Sequence, residues 1–333
     1  MTFVDMSAAE TTPVFEHAVS NSRTWLTPEI GPSDWTISLG SDALNEIGMM
    51  VQYLRANPLP LLLRTPDVFS IPALQSTFVS ARKILDDGCG FCVIEGLPMD
   101  DYDLDDMVAC YWILGQLIGR TVAQKWDGTM IYDVTDTHQS YQDHGVRGSY
   151  TNVELVFHTD NAFGVSVPDY VGLLCRHPAV EGGISRFCSL YSVHNRMLER
   201  YPAELQRLYQ PMLFDRQAEH AVNAPLNTWA PFFSWRDDKL AARANTSLVR
   251  KGYAVAGETM DGDLIAALDA MDLVSNEPDL WVEAPIKRGH MQYLNNNELG
   301  HYRSTFTDHE NPEFKRHLFR TWHRARGSRT YDE

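Results

Sequence analysis

The sequence is short of positive charge. Lys and Arg together number 28 against 44 Asp and Glu, a formal net charge of −16. Binding nucleic acid through its phosphates calls for a basic surface, so a nucleic-acid partner is not expected. No run of about 18 apolar residues occurs, the length a helix needs to cross a bilayer, and no membrane partner is expected. The opening residues MTFVDMSAAETTPVFEH have neither a basic n-region nor an apolar h-region, so they do not read as a secretion signal and a cytoplasmic location is expected. Cysteines are few and odd in number: Cys89, Cys92, Cys110, Cys175 and Cys188. Such scatter argues against a disulfide framework and fits reduced thiols. Cys89-Gly-Phe-Cys92 has C-x-x-C spacing, but it opens the apolar run FCVIEGLP, which reads as a buried strand rather than a redox pair. Internal repeats and low-complexity tracts are also missing.

What is present suffices for a sizeable core: 333 residues, 44% hydrophobic and 22% charged. Helical periodicity appears over 41–55, with Leu44, Ile47, Val51 and Leu54 on one face. It recurs over 71–86, with Leu74, Phe78, Ala81 and Leu85, and over 103–119. Residues 120–150 are polar and aperiodic, and a loop of that length suggests a lid. From 151 the pattern changes to short strands: NVELVFHTD, YVGLLCRHP and GISRFCSLY. Helices are expected at 191–200, 203–209 and 261–273, with strands near 211–216 and 230–235 and a last strand pair, MQYLNN and RHLFRTWHR. This predicts a mixed α/β chain with a mainly β core, a double-stranded β-helix (jelly roll) flanked by α-helices. One domain is expected over 1–333. It comprises an N-terminal extension with helices (1–84), a jelly-roll core (85–325) with the 120–150 loop and a helical insert (191–275), and a tail (326–333).

Within VFHTDNAF, residues 156–163, His158 and Asp160 lie two apart in an apolar run. Side chains alternate faces along a strand, so the two would share a face with Glu154 and Val156. A third ligand would have to arrive by folding, and His301 in NNNELGHYRSTF is the candidate. Two His and one carboxylate on one side of an ion form the facial triad of non-heme Fe(II) oxygenases, with positions left open. The same three residues could instead serve a zinc hydrolase, or sit in a non-catalytic cupin-like binding protein. Further on, Arg316 and Arg320 in KRHLFRTWHR are four apart and share a strand face. At about 3.3 Å per residue they are roughly 13 Å apart, so only one can hold a given small carboxylate head-on, bidentately.

Four segments in order, ELVFHTDNAF, EGGISRF, QYLNNNELGHYRSTF and FKRHLFRTW, resemble the TauD/TfdA-type Fe(II)/2-oxoglutarate-dependent dioxygenases over residues 85–325. The resemblance implies a jelly roll, with Fe(II), 2-oxoglutarate and O2 as cofactor and cosubstrates. It implies that His158, Asp160 and His301 are the iron ligands and that Arg316 pairs with the distal carboxylate of 2-oxoglutarate. Ser185 stands where the family usually has a Thr that hydrogen-bonds the same cosubstrate. Arg320 falls near the substrate in some members. Glu154, and Tyr141 and Arg147 in the 120–150 loop, are further substrate candidates, with Trp126 and Tyr132 beside them. The implied reaction is oxidation, by default hydroxylation, of a C–H bond in a small-molecule substrate, a biosynthetic intermediate, with release of succinate and CO2. Asp160 argues against halogenation, for which the acid is replaced by a small residue. The hydrolase reading leaves Ser185 and Arg316 unexplained. Gly289-His290 departs from the family's Gly-Asp, and that His is expected to be structural or exposed. Asn295-Asn296-Asn297 is expected to form a turn that hydrogen-bonds around the ligands. The remaining histidines, His194 included, are expected at the surface or satisfied, with His194 facing away from the apolar stripe of its helix. A homo-oligomer is compatible with these features.

Overall fold

The computed structural model describes residues 11–139, 148–236, 238–327, 329 and 331. A short helix α1 (Pro32–Trp35) leads into β1 (Thr36–Ser38), and two long helices, α2 (Ser41–Ala56) and α3 (Pro72–Asp87), precede β2 (Phe91–Glu95). Helix α4 (Leu104–Ile118) is followed by β3 (Arg120–Val122) and β4 (Tyr132–Val134). Then come β5 (Leu155–His158), β6 (Tyr170–His177), β7 (Glu181–Gly182) and β8 (Ser185–Ser189). Helices α5 (Leu190–Arg200) and α6 (Pro202–Leu208) lead to β9 (Pro211–Asp215), β10 (Asn227–Pro231), β11 (Phe233–Arg236) and β12 (Lys239–Ala242). After α7 (Thr246–Ala256) and α8 (Gly262–Ser275) the chain closes with β13 (Trp281–Glu283), β14 (Met291–Asn295), β15 (Leu299–Arg303), β16 (Phe306–Thr307) and β17 (His317–Arg324).

Two sheets carry the architecture. The larger runs β1-β2-β14-β6-β17-β3, with β4 also on β17; the smaller runs β13-β8-β15-β5. Strand alternation gives the larger sheet two buried faces. In β2, Phe91 and Val93 join the core between the sheets, while Cys92 and Ile94 join a second core under α2, α3 and α4. Phe91 stacks on Phe187 of β8 with ring centroids 4.3 Å apart, which ties one sheet to the other. The result is a jelly roll with helices over its outer face.

Helix α3 buries Leu74, Phe78, Ala81 and Leu85, the stripe the periodicity predicted. In α2 the buried face is Ala43, Ile47, Met50, Val51 and Leu54, and Leu44 is 37% exposed. A stripe drawn through Leu44 is therefore turned slightly away from the true one. His194 is fully buried, its Nε2 2.8 Å from Tyr209 Oη, because α5 is covered on more than one side. Strands β14 and β17 are not a pair: β6 lies between them and pairs with both. The start of the 120–150 segment is anchored, since β3 and β4 both pair with β17. Helix α7 was not legible in SLVRKGYAVAG, where Gly252 weakens the helical signal. Its glycine is needed for packing, because a Cβ there would lie 2.5 Å from the Leu213 carbonyl oxygen of β9. All five cysteines are buried and unpaired. No helix among the described residues is long and apolar enough to cross a membrane.

Candidate active site

Strand β5 delivers His158 as its last residue. The ladder stops there, because Thr159 N–H donates to the Ala244 carbonyl (2.6 Å) instead of to a strand. Asp160 thus lies in the following turn, not on a continuous strand as period-two reasoning had it. Its side chain reaches the same point because Asn296 holds its backbone. Asp160 N–H donates to Asn296 Oδ1 (2.7 Å), and Asn296 Nδ2 donates to the Asp160 carbonyl (2.9 Å) and to Pro168 (3.1 Å). The asparagine turn therefore does fix the acidic residue, as its sequence suggested. His301, in β15, is the ladder partner of His158.

The three side chains converge. One ligand atom from each of His158, Asp160 and His301 lies within 4.8 Å of the others. Asp160 Oδ1 is 3.7 Å from His158 Nε2 and 3.5 Å from His301 Nε2. His158 Nδ1 is 2.8 Å from the Val156 carbonyl, which fixes that nitrogen as the protonated one and leaves the Nε2 lone pair facing Asp160. Burial, reinforced by His301, pushes the His158 imidazole down to about 3, so it is neutral and able to ligate near neutral pH. Burial alone would raise the Asp160 carboxyl. The Arg320 guanidinium and the two imidazoles outweigh it and hold the group well below the usual carboxylate range. Two imidazoles and one carboxylate, set on one side, suit a divalent ion with open positions.

Two cavities meet at this cluster, and His158, Asp160 and Arg320 line both. The inner one is walled by Ser185, Gln292, Arg303 and Arg316. Arg303 and Arg316 are almost fully buried, and each guanidinium carbon lies 5.0 Å from the centroid of Phe306. Among the described residues, Arg316 Nη1 and the Nε and Nη1 of Arg303 have no hydrogen-bond partner. Burial lowers both groups, Arg316 to about 10 and Arg303 to about 9 with Arg316 adding to the latter, yet both remain cations at neutral pH. Two buried cations with unused donors call for an anion. The EGGIS turn leaves room for Arg316: Gly183 has φ +64°, and a Cβ on it would come 2.9 Å from Arg316 Nε. Ser185 lies directly opposite Arg303 in the β8–β15 ladder.

The outer cavity is lined by Asn161, Gln217, Asn245, Ser247 and Trp322, among others. Arg320 does not stand free in it: its Nη1 is 3.0 Å from Asp160 Oδ2, and its Nε donates to Gln124 Oε1 at 2.8 Å. Glu154 is at the exposed mouth and accepts a hydrogen bond from Tyr302 Oη. Tyr141 and Arg147 lie outside the described residues. Tyr132 is buried beneath Arg320, with the guanidinium 4.7 Å from its ring, and Trp126 is on the surface. Sequence reading overlooked Arg303, which period-two counting from His301 would have found, and Gln292, Asn161, Gln217 and Trp322, which carry no local signal.

The family model for the taurine catabolism dioxygenase TauD, TfdA family matches residues 56–322. FR-33289 synthase of Streptomyces rubellomurinus is 23% identical over 325 residues, 96% of this chain and 94% of that protein. An asparagine oxygenase in complex with Fe(II), 2S,3S-3-hydroxyasparagine and succinate superimposes with a TM-score of 0.65 at 18% identity, covering 87% of this chain and 94% of the other. The non-heme iron oxygenase OrfP, in complex with Fe and alpha-ketoglutaric acid, gives 0.64 at 17% identity, again over 87% and 94%. The chain belongs to the TauD/TfdA family and is an Fe(II)- and 2-oxoglutarate-dependent dioxygenase.

Proposed function

We propose that His158, Asp160 and His301 hold the iron, that Arg316 and Ser185 seat the distal carboxylate of 2-oxoglutarate, and that the outer cavity receives the substrate. With Fe(II), 2-oxoglutarate and O2 bound, such a centre supplies an oxidant that hydroxylates a C–H bond, with succinate and CO2 released. The observation that carries the assignment is the pair of buried guanidinium groups with unused donors in the cavity that opens onto the three-residue cluster. The zinc-hydrolase reading leaves them unexplained. The protein's own part is positional. Val156 and Asn296 orient His158 and Asp160, Arg303 and Arg316 neutralise a carboxylate from buried positions, and Arg320 keeps Asp160 ionised.

The substrate is a small polar molecule of a biosynthetic route. The outer cavity offers amide and hydroxyl groups from Asn161, Gln217, Asn245 and Ser247. FR-33289 synthase and the asparagine oxygenase complexed with hydroxyasparagine are proteins of that kind. Arg320 and Glu154 give this cavity one cationic and one anionic side chain, and Tyr141 and Arg147, outside the described residues, are further substrate candidates from the sequence. The five buried thiols fit a cytoplasmic setting. The test is anaerobic addition of Fe(II) and 2-oxoglutarate. A weak visible charge-transfer band is expected, and His158→Ala or Arg316→Ala should abolish it. A colourless mixture, with no succinate formed under oxygen in the presence of candidate small molecules, would overturn the reading.

A further inference from the structure

Asp160 is held at every polar atom but one. Its backbone N–H and carbonyl are taken by Asn296. Its Oδ2 accepts two donors, the indole Nε1–H of Trp322 at 2.7 Å and Arg320 Nη1 at 3.0 Å. Only Oδ1 is left facing the imidazole nitrogens of His158 and His301. Neither donor is loosely placed. Trp322 is 2% exposed in β17, the guanidinium of Arg320 lies 5.0 Å from its ring, and Gln124 locks Arg320 from behind by accepting its Nε–H and donating to its carbonyl.

The geometry points to Trp322 as a positioning residue that, with Arg320, confines Asp160 to binding iron through Oδ1 alone. This rests on the assignment of Asp160 as an iron ligand. A carboxylate has two oxygens, and nothing in its own chemistry stops both from turning to a divalent ion. If both did, the protein would fill four of six positions. Two would remain, enough for a chelating 2-oxo acid and no further ligand. Saturating Oδ2 with one neutral and one cationic donor keeps the third position open. It also makes Asp160 a weaker electron donor, since a charge-assisted hydrogen bond draws density from the carboxylate. The contribution of Trp322 is the N–H; its ring could be replaced by other aromatic bulk.

The test uses Trp322→Phe, which keeps the ring and removes the donor, with Co(II) as an optical probe in place of iron. Wild type and variant are titrated with Co(II), alone and with 2-oxoglutarate, and read by visible absorption. About a 10-fold change in Co(II) affinity is expected in the variant, the usual scale for an outer hydrogen bond, with tighter binding as the sign because Oδ2 is released to the ion. A changed band shape is expected as well, which a general loss of packing would not produce in a variant of unchanged melting temperature. Affinity within twofold and an identical spectrum would overturn the proposal while leaving the metal site standing. A wild type that does not bind Co(II) would remove both. Should Trp322→Phe fail to fold, the indole N–H signals of the eight tryptophans in the 15N-labelled wild type decide. One is expected to move on adding Zn(II), and a set in which none moves would refute the contact.

Discussion

His301 stands opposite His158 across the β5–β15 ladder, and the two imidazole centroids are 4.1 Å apart. Rings this close cannot both carry charge without repulsion, so the pair is suited to hold an ion between them and poorly suited to hold protons.

Replacing either imidazole with Ala, or Asp160 with Asn, should therefore remove or sharply weaken metal binding while leaving the fold. The expected loss exceeds the roughly 10–100-fold seen when an outer hydrogen bond to a ligand is removed. Calorimetric titration with Co(II) measures it, and a melting temperature within a few degrees of wild type confirms that the side chains line a cavity rather than fill a core. Retained micromolar binding in all three variants would count against the cluster.

Arg316 and Arg303 should separate into grip and support. Arg316→Lys keeps the charge and loses the planar fork. Hydrogen bonds to a charged group contribute about 1.5–3 kcal/mol, so 2-oxoglutarate should bind on the order of 10–100-fold more weakly. Ser185→Ala, losing one hydrogen bond of about 1 kcal/mol, should weaken it about fivefold. Arg303 also braces the chain through Nη2, which donates to the Thr151 and Val153 carbonyls, so Arg303→Lys should lower the melting temperature as well as the affinity. Anaerobic titration of the charge-transfer band reads all three without knowledge of the substrate.

Acid should destabilise the protein through two histidines outside the His158–Asp160–His301 group. Burial pushes His194 and His323 down to about 4. Their unfolded value is near 6.5, so below that pH the unfolded chain binds protons that the folded chain refuses. Stability is complete above about pH 6.5 and is lost as the pH falls toward 4, by about 3 kcal/mol per group at the lower limit. Urea unfolding between pH 4.5 and 7 should show that slope, and His323→Gln should flatten it. A wild-type profile without slope over this range would refute the assignment.

The link between the sheets is the fourth test. Phe187 is fully buried and stacked on Phe91. Phe187→Ala should cost about 3–5 kcal/mol, the range for deleting a large buried ring. A chemical denaturation midpoint unchanged from wild type would mean that the two sheets do not depend on this contact.

The helix over 71–86 and the Leu74–Leu85 stripe were legible because a regular helix packed on one side writes its period into the sequence. Helix α5 is packed on several sides, so its buried His194 looked like a surface residue. The H-x-D pair was found by counting as if the strand continued, and the side chains converge for another reason, the Asn296 clamp from 136 residues away. Contacts of that span leave no local pattern, which is also why Trp322 and Gln292 went unread. Arg303 differs: it follows His301 by two in the same strand, and alternation alone identifies it.

The two cavities share His158, Asp160 and Arg320 and differ in much of the rest of their walls. Gln217, Asn245, Ser247 and Leu248, between α6 and α8, line the outer cavity, and no residue of that stretch lines the inner one. On the proposed assignment, part of the surface that meets the substrate therefore comes from a stretch that takes no part in seating the cosubstrate. A lineage could change the side chains at 217, 245, 247 and 248 and acquire a new substrate while keeping the Ala244 carbonyl that ends the β5 ladder beside the candidate ligands.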